Sequence, residues 1–460
     1  MMKMSNQQKV QTEPNQNRSK KRKDMSTEER LHLLQRKLYL KSKQEKQYRF
    51  YILYDKIFLD YILQEAYKQA KRSGGSPGID RQSFAEIEKG GRDEFLKDLK
   101  EDLRKRTYRP KPVKRVWIDK EDGSKRPLGI PTIRDRVAQT ACKMIIEPLF
   151  EADFEDCSHG FRPKHSAHDA IRQIKEHLKA GKTEVYDADL SKYFDTIPHD
   201  NLMKTLEMRI SDPRVLHLIK LWLKTPVIED GKTKGGKKST KGTPQGGVIS
   251  PLLANIYLHL LDRIVNKSSG MFAKYQVKMV RYADDFVLMG QKIDEKCLGK
   301  LREVLNRMEL TINETKSKLI QAQEAPFNFL GFTVRYDRSV FNRDRRFWNI
   351  RPADKSRKRV RQNIRAKLKT IGHYPPEAVA GALNPIIRGW INYYSIEKVS
   401  YMQVDKRKLT YYLRDSLTRY YNRKSQRRSR MYGLHAFDIL VKKYGLINPY
   451  ESSGKCPVYA

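Results

Sequence analysis

The sequence predicts an α+β fold in two stretches, a mixed core of helices and strands to about residue 334 and a helical, strongly basic segment after it. Three observations predict it. The stretches EVYDADLSKYFDTIPHD and VKMVRYADDFVLMG alternate or cluster β-formers in short runs. VKRVWIDKEDGSKRPLGIP reads as a β-hairpin closed by the turn Glu121-Asp122-Gly123-Ser124. Between Arg351 and Arg430 the apolar residues fall at helical spacing, and 21 Lys or Arg stand against 5 Asp or Glu.

Composition sets the partner class. A formal net charge of +40 over 460 residues favours a polyanion, and nucleic acid fits best because each neutralised phosphate releases counterions. No apolar run approaches the roughly 18 residues of a spanning helix, so no membrane role is expected. Residues 1–40 carry a basic cluster without an apolar signal core and read as a disordered, cytosolic tail. Cys142, Cys157, Cys297 and Cys456 are scattered, with no C-x-x-C pair, which argues against a zinc module and for reduced structural thiols. The length allows two or three domains.

In chain order, YRFYILYDKIFLDYILQEAYKQAKR predicts a helix from about residue 41 to 72, and GGSPGID breaks it. The hairpin at 113–131 follows, then the mixed core. Met279 to Ala283 and Phe286 to Met289 read as two short strands, with Asp284 and Asp285 at the tip of the hairpin between them. A lone pair of turn aspartates is usually just a turn. Upstream, however, period-2 geometry sets Val185, Asp187 and Asp189 on one strand face and Tyr186, Ala188 and Leu190 on the other. Carboxylates on a strand of an otherwise buried sheet need a partner, and a divalent cation is one. Carboxylate oxygens suit Mg²⁺, with Mn²⁺ as a substitute. Two ions about 4 Å apart can activate a 3′-hydroxyl and stabilise leaving pyrophosphate, which is polymerase chemistry. Metal nucleases use the same carboxylates, so the acids alone leave both readings open.

The surrounding words separate them. RPLGIPTIRDRVAQ, SHGFRPKHSAHDAI, DLSKYFDTIPHD, GTPQGGVISPLLANIYL, RYADDF, INETKSKLI and FNFLGF stand in the order found in the reverse transcriptases of mobile group II introns, and the chain resembles that family from about residue 41 to 450. The resemblance assigns the catalytic, metal-binding triad to Asp189, Asp284 and Asp285, with Leu190 beside Asp189 counted in the metal set. Asp189 rather than Asp187 stands five before an aromatic, Phe194, which resembles the steric gate against a ribose 2′-hydroxyl. Lys120 and Arg126 flank the hairpin turn as triphosphate-binding cations. In GTPQGGVISPLLAN, Gly242, Gly246 and Gly247 allow close backbone approach, Gln245 can bond nucleotide or template, and Ser250-Pro251 suits a helix start. Arg162, Tyr282, Lys316 and the grip-like Phe329, Leu330 and Gly331 are expected along primer and template.

LNPIIRGWINYYSIEKVS and KLTYYLRDSLTRYYNRKSQRR resemble the thumb and the maturase domain, called X. Trp390, Tyr393, Tyr394, Tyr411, Tyr412, Tyr420 and Tyr421 at helical spacing read more readily as core than as stacking platforms. Arg414, Arg419, Arg423, Lys424, Arg427 and Arg428, with few acids nearby, are expected to meet RNA phosphates. No cysteine-containing endonuclease is expected after GKCPVYA.

The resemblance therefore implies a right-hand polymerase. A basic tail (1–40) precedes fingers and palm (41–335), a helical thumb and X domain (336–430) and a C-terminal extension (431–460). The expected partners are dNTPs, a DNA primer or target, template RNA and the intron RNA it helps to splice and copies in retrohoming. Localisation is expected to be cytoplasmic, at the nucleoid when bound to DNA. The oligomeric state stays open, a homodimer included. A splicing-only RNA-binding protein would be expected to lose a triad carboxylate, and all three are present. A domesticated enzyme of phage defence or DNA repair is the other alternative.

Overall fold

The computed structural model describes residues 25–119, 123, 125–244, 246–339, 342, 344–372, 374–423, 429 and 431–452. Its strands are β1 (Val113–Asp119), β2 (Lys125–Ile130), β3 (Glu184–Ala188), β4 (Val227–Glu229), β5 (Lys232–Lys234), β6 (Lys278–Tyr282), β7 (Asp285–Gly290), β8 (Lys318–Gln321), β9 (Phe327–Phe329), β10 (Phe332–Arg338) and β11 (Arg346–Pro352). The chain divides into two compact units. One comprises Met1–Asp156, Ser191–Leu261 and Val304–Thr311, the other Cys157–Leu190, Asp262–Glu303 and Ile312–Ala460.

The first unit is built on the helix Ile133–Glu151, most of whose residues are buried. Helices Thr27–Gln44 and Asp60–Ser73 pack on it, and Ser42 Oγ donates to the Leu149 carbonyl at 2.8 Å. A sheet in the order β2-β1-β4-β5 carries the expected hairpin, with Val116 opposite Leu128 and Ile118 opposite Arg126. The two strands pair as the sequence predicts, while Glu121, Asp122 and Ser124 of the expected turn lie outside the described residues.

Two expectations need correction here. The helix expected over 41–72 is broken, because Phe50 pairs with the backbone of Arg209 and Ser211. Asp212, buried, accepts the amides of Leu53 and Tyr54 at 2.9 Å each. Those bonds hold the chain extended where its apolar spacing favours helix, a tertiary override of local propensity. The stretch read as a disordered tail contains the start of Thr27–Gln44, whose Ser26–Glu29 capping box closes its first turn.

In the second unit, four antiparallel strands lie in the order β6-β7-β3-β8. Val185, Val280, Val287 and Met289 share one core with Ile171 and Ile174 of the helix Ala167–Lys179. That core continues through β9, β10 and β11 into the helices Asp354–Thr370, Pro376–Tyr394, Gln403–Tyr421 and Ala436–Tyr444. The C-terminal part is therefore not helical from about residue 335. The β10–β11 hairpin occupies it to Pro352, with Val334 opposite Ile350, and the helices begin at Asp354. Among the described residues no helix is long and apolar enough to cross a membrane.

Candidate catalytic centre

Sheet register brings the three triad aspartates to one end of the second unit. Tyr282 pairs with Asp285, the first residue of β7, so the two-residue hairpin loop is Ala283-Asp284, one residue earlier than the sequence predicts. Its first central residue, Ala283, has φ 59°, a conformation that an L-residue adopts only under constraint from its surroundings. The β3–β7 ladder ends with Ala188 opposite Phe286. Asp189 and Asp285 are the next residues at that same end.

A tight wrap holds Asp189 in place. Its amide donates to Ser317 Oγ at 3.1 Å, its carbonyl accepts from Asn313 at 2.8 Å, and its carboxylate meets Lys316 Nζ at 3.2 Å. The NETKSK stretch thus serves the first aspartate directly. Burial, reinforced by the neighbouring charge of Asp189, pushes the Asp187 carboxyl up to about 6. Asp284 is half-buried and Asp285 exposed.

Among the described residues no three His, Cys, Asp or Glu side chains are gathered closely enough to hold a metal ion as they stand. The donor set nevertheless fits a hard divalent cation in kind. All three donors are carboxylates, and the position beside Asp189 already draws the cationic head of Lys316. Leu190 is 4 % exposed and bridges Ile312. Its side chain is core, which leaves only its main chain to face a ligand.

The remaining expected residues fall in different surroundings. Arg162 is buried and donates to the Ser158 carbonyl at 2.6 Å, bracing its own loop. Tyr282 is half-buried at the end of β6. Phe329 is buried, and Leu330 and Gly331 form the β9–β10 turn with φ 49° and 77°. Tyr393 Oη donates to the Leu330 carbonyl at 3.0 Å, and the Ala353 amide to Gly331 at 2.8 Å.

In the first unit, Phe194 is 8 % exposed and sits edge-on to Tyr193, and its main-chain carbonyl accepts the Thr243 amide at 2.7 Å. A Cβ on Gly246 would stand 2.1 Å from the Gly129 carbonyl. The close approach expected of that glycine is thus made to β2 of the same chain. The helix Ser250–Asn266 begins where Ser250-Pro251 placed it, and Arg126 is exposed on β2. Lys120 and Gln245 lie outside the described residues.

The basic segment is partly self-neutralised, contrary to expectation. Arg414 pairs with Asp438 at 2.9 Å, and Arg419 with Asp415. Both pairs are exposed, and such pairs hold their partners weakly. Arg423 stacks over Tyr420 at 4.7 Å, while Lys424, Arg427 and Arg428 lie outside the described residues. Trp390, Tyr394 and Tyr421 are core, and Tyr412 and Tyr420 tie down backbone carbonyls. Tyr393 and Tyr411 are exposed.

Behind the Ala283-Asp284 turn lies a buried ion pair between Arg281 and Asp262, which the sequence pattern alone does not single out. The available signal was an arginine inside an apolar strand, a residue type seldom buried without a partner.

Comparison with known proteins places the chain in a family. The family model described as reverse transcriptase (RNA-dependent DNA polymerase) matches residues 118–334. The group II intron maturase-specific domain matches residues 357–434. Protein YkfC of Escherichia coli is 37 % identical over 299 residues, covering 57 % of this chain and 76 % of YkfC. The group II intron-encoded protein LtrA of Lactococcus lactis is 32 % identical over 312 residues, 54 % of this chain. A 91 kDa protein in the cob intron of Schizosaccharomyces pombe is 27 % identical over 430 residues, 77 % of this chain. The matches span 51 % of LtrA and 52 % of the cob intron protein, about half of each. With reverse transcriptase and maturase domains matched in succession and a relative matched over three quarters of its length, the chain belongs to the group II intron-encoded reverse transcriptases, RNA-directed DNA polymerases that carry a maturase domain for splicing.

Proposed function

We propose that the chain extends a DNA primer on an RNA template at the end of the β6-β7-β3-β8 sheet, and that its C-terminal helices hold the intron RNA whose splicing it assists. The carrying observation is the register that brings Asp189 to the same sheet end as Asp284 in the hairpin loop and Asp285 at the start of β7. Residues 41–335 act as fingers and palm, and 336–430 as thumb and X domain. This is a right-hand polymerase layout.

Asp189, Asp284 and Asp285 would hold two Mg²⁺ ions, which when bound supply a more acidic primer 3′-hydroxyl and charge neutralisation for the leaving pyrophosphate. Lys316, already within 3.2 Å of Asp189, orients that carboxylate and can also meet a phosphate. Phe194, its ring buried and its backbone carbonyl held by the Thr243 amide, forms a wall against a 2′-hydroxyl. Lys120, Arg126 and Gln245 bind the incoming dNTP. Tyr282 and the Phe329–Gly331 turn line the primer and template, while Arg162, buried against the Ser158 carbonyl, supports its loop from within. The exposed cations of Gln403–Tyr421 and the residues after it grip phosphates.

Steady extension of a DNA primer on an RNA template, with products that require all four dNTPs and resist ribonuclease, is the expected result for purified protein with Mg²⁺. Cleavage of the nucleic acid without extension would favour the nuclease reading and reject this one.

A further inference from the structure

We infer that Arg281, locked to Asp262, is a positioning residue that fixes the peptide plane leading into Asp284. The inference rests on the polymerase reading above and adds a residue to it. Both side chains are fully buried. Arg281 Nε donates to Asp262 Oδ1 at 2.7 Å, and Nη2 to Asp262 Oδ2. Nη2 also reaches Ser158 Oγ at 2.6 Å, and Nη1 donates to the Ala283 carbonyl at 2.7 Å.

That last bond carries the argument. The Ala283 carbonyl and the Asp284 amide belong to one rigid peptide plane. Pinning the oxygen therefore sets the direction in which the Asp284 side chain leaves the turn. The same turn holds Ala283 at φ 59°, so an outside constraint is required. A second clamp closes on the same turn. The segment before Gly160 runs beside β6, with the Arg281 amide on the Cys157 carbonyl at 2.7 Å and the His159 amide on the Arg281 carbonyl at 2.9 Å. A Cβ on Gly160 would stand 2.3 Å from the Ala283 amide nitrogen.

Stability alone does not account for the pair. A buried ion pair is often replaced by apolar residues at no loss, because desolvation offsets the attraction. What an apolar residue cannot do is reach Asp262, Ser158 and Ala283 at once, and neither can lysine with its single nitrogen.

The test separates these roles with the double variant Arg281→Met/Asp262→Leu, which removes both charges and leaves neither partner stranded if a single variant fails to fold. It is measured with Gly160→Ala and wild type for thermal midpoint, RNA affinity, dTTP incorporation on an RNA template, and amide exchange over residues 282–286. The double variant is expected to keep wild-type RNA affinity and a midpoint near wild type. Its kcat should fall about 10²-fold with KM for dTTP little changed, the scale of a slightly misplaced reactive group. Exchange over 282–286 should be faster in both variants. A double variant with kcat within about 3-fold of wild type and unchanged exchange would make the pair structural only and overturn the inference. Should wild type itself synthesise no DNA, the polymerase reading fails instead, and the exchange result still decides whether Arg281 orders the turn.

Discussion

Removing Asp405 should loosen the maturase half of the molecule by an amount its contacts define. Its side chain is fully buried on Gln403–Tyr421, accepting Arg351 Nε and Nη2 at 3.0 Å each and Arg357 Nη1 at 3.1 Å. It thereby ties β11, Asp354–Thr370 and Gln403–Tyr421 together. Asp405→Ala deletes three charge-assisted bonds and leaves two guanidiniums, 19 % and 24 % exposed, facing one another. Breaking a buried pair costs about 3–5 kcal/mol, and the partial access of both arginines to water favours about 3. For a unit of some 200 residues that corresponds to a midpoint about 6–12 °C lower. Asp405→Asn, which keeps the shape, should lose less. Thermal unfolding followed by circular dichroism checks the size, and splicing assistance should fall at temperatures between the two midpoints. A midpoint for Asp405→Ala within about 2 °C of wild type would refute the reasoning, since no buried network of this kind dissolves without cost.

Phe194→Ala should raise ribonucleotide use relative to deoxyribonucleotide while extension continues; unchanged discrimination would return this buried ring to a packing role. Replacing Arg423, Lys424, Arg427 and Arg428 together with Ala should weaken intron RNA binding and lower its salt slope by about 0.7–0.9 per lost phosphate contact. Extension on a short template at saturating protein should survive, and an unaltered slope with unaltered splicing would mark these cations as a solvated face. His177 gives a pH test: burial, with Lys182 and Lys278 nearby, holds its imidazole down to about 4. A depressed histidine stabilises the fold above its ordinary value near 6.5, and that contribution is lost as pH falls from there toward 4. His177→Gln should therefore flatten the decline in thermal midpoint between pH 6.5 and 4, and an identical decline in both proteins would count against it.

Short-range pattern made the hairpins and the aspartates legible. Alternation in Val185–Asp189 and the tight turn before Asp285 are local properties, and β3, β6 and β7 formed within a residue or two of where they were expected, with the turn itself one residue early at Ala283-Asp284. What stayed hidden depended on distant partners. Nothing near Phe50 announces the backbone of Arg209 that unwinds the helix there. The β10–β11 hairpin reads poorly because arginines and polar residues interrupt its alternation, yet Val334, Trp348 and Ile350 still turn inward. Arg162 and Arg281 look alike in sequence, as cations in short motifs beside turns, and only the fold shows both turned inward to carry backbone rather than outward to nucleic acid. The aromatics of the maturase segment were told apart by spacing only in part, since Tyr411 and Tyr412 are neighbours with opposite fates.

Single-turnover primer extension on an RNA template with Mg²⁺, comparing wild type, Asp284→Ala, Asp189→Ala and Asp187→Asn at equal RNA occupancy, tests the central claim most directly. Asp284→Ala and Asp189→Ala should lose nearly all synthesis while RNA affinity holds. Asp187→Asn, which alters a neighbour of the triad on β3, should be milder. Robust extension by Asp284→Ala protein would contradict the assignment of chemistry to this turn, and a loss in Asp187→Asn equal to that in Asp189→Ala would move the first carboxylate two residues back along the strand.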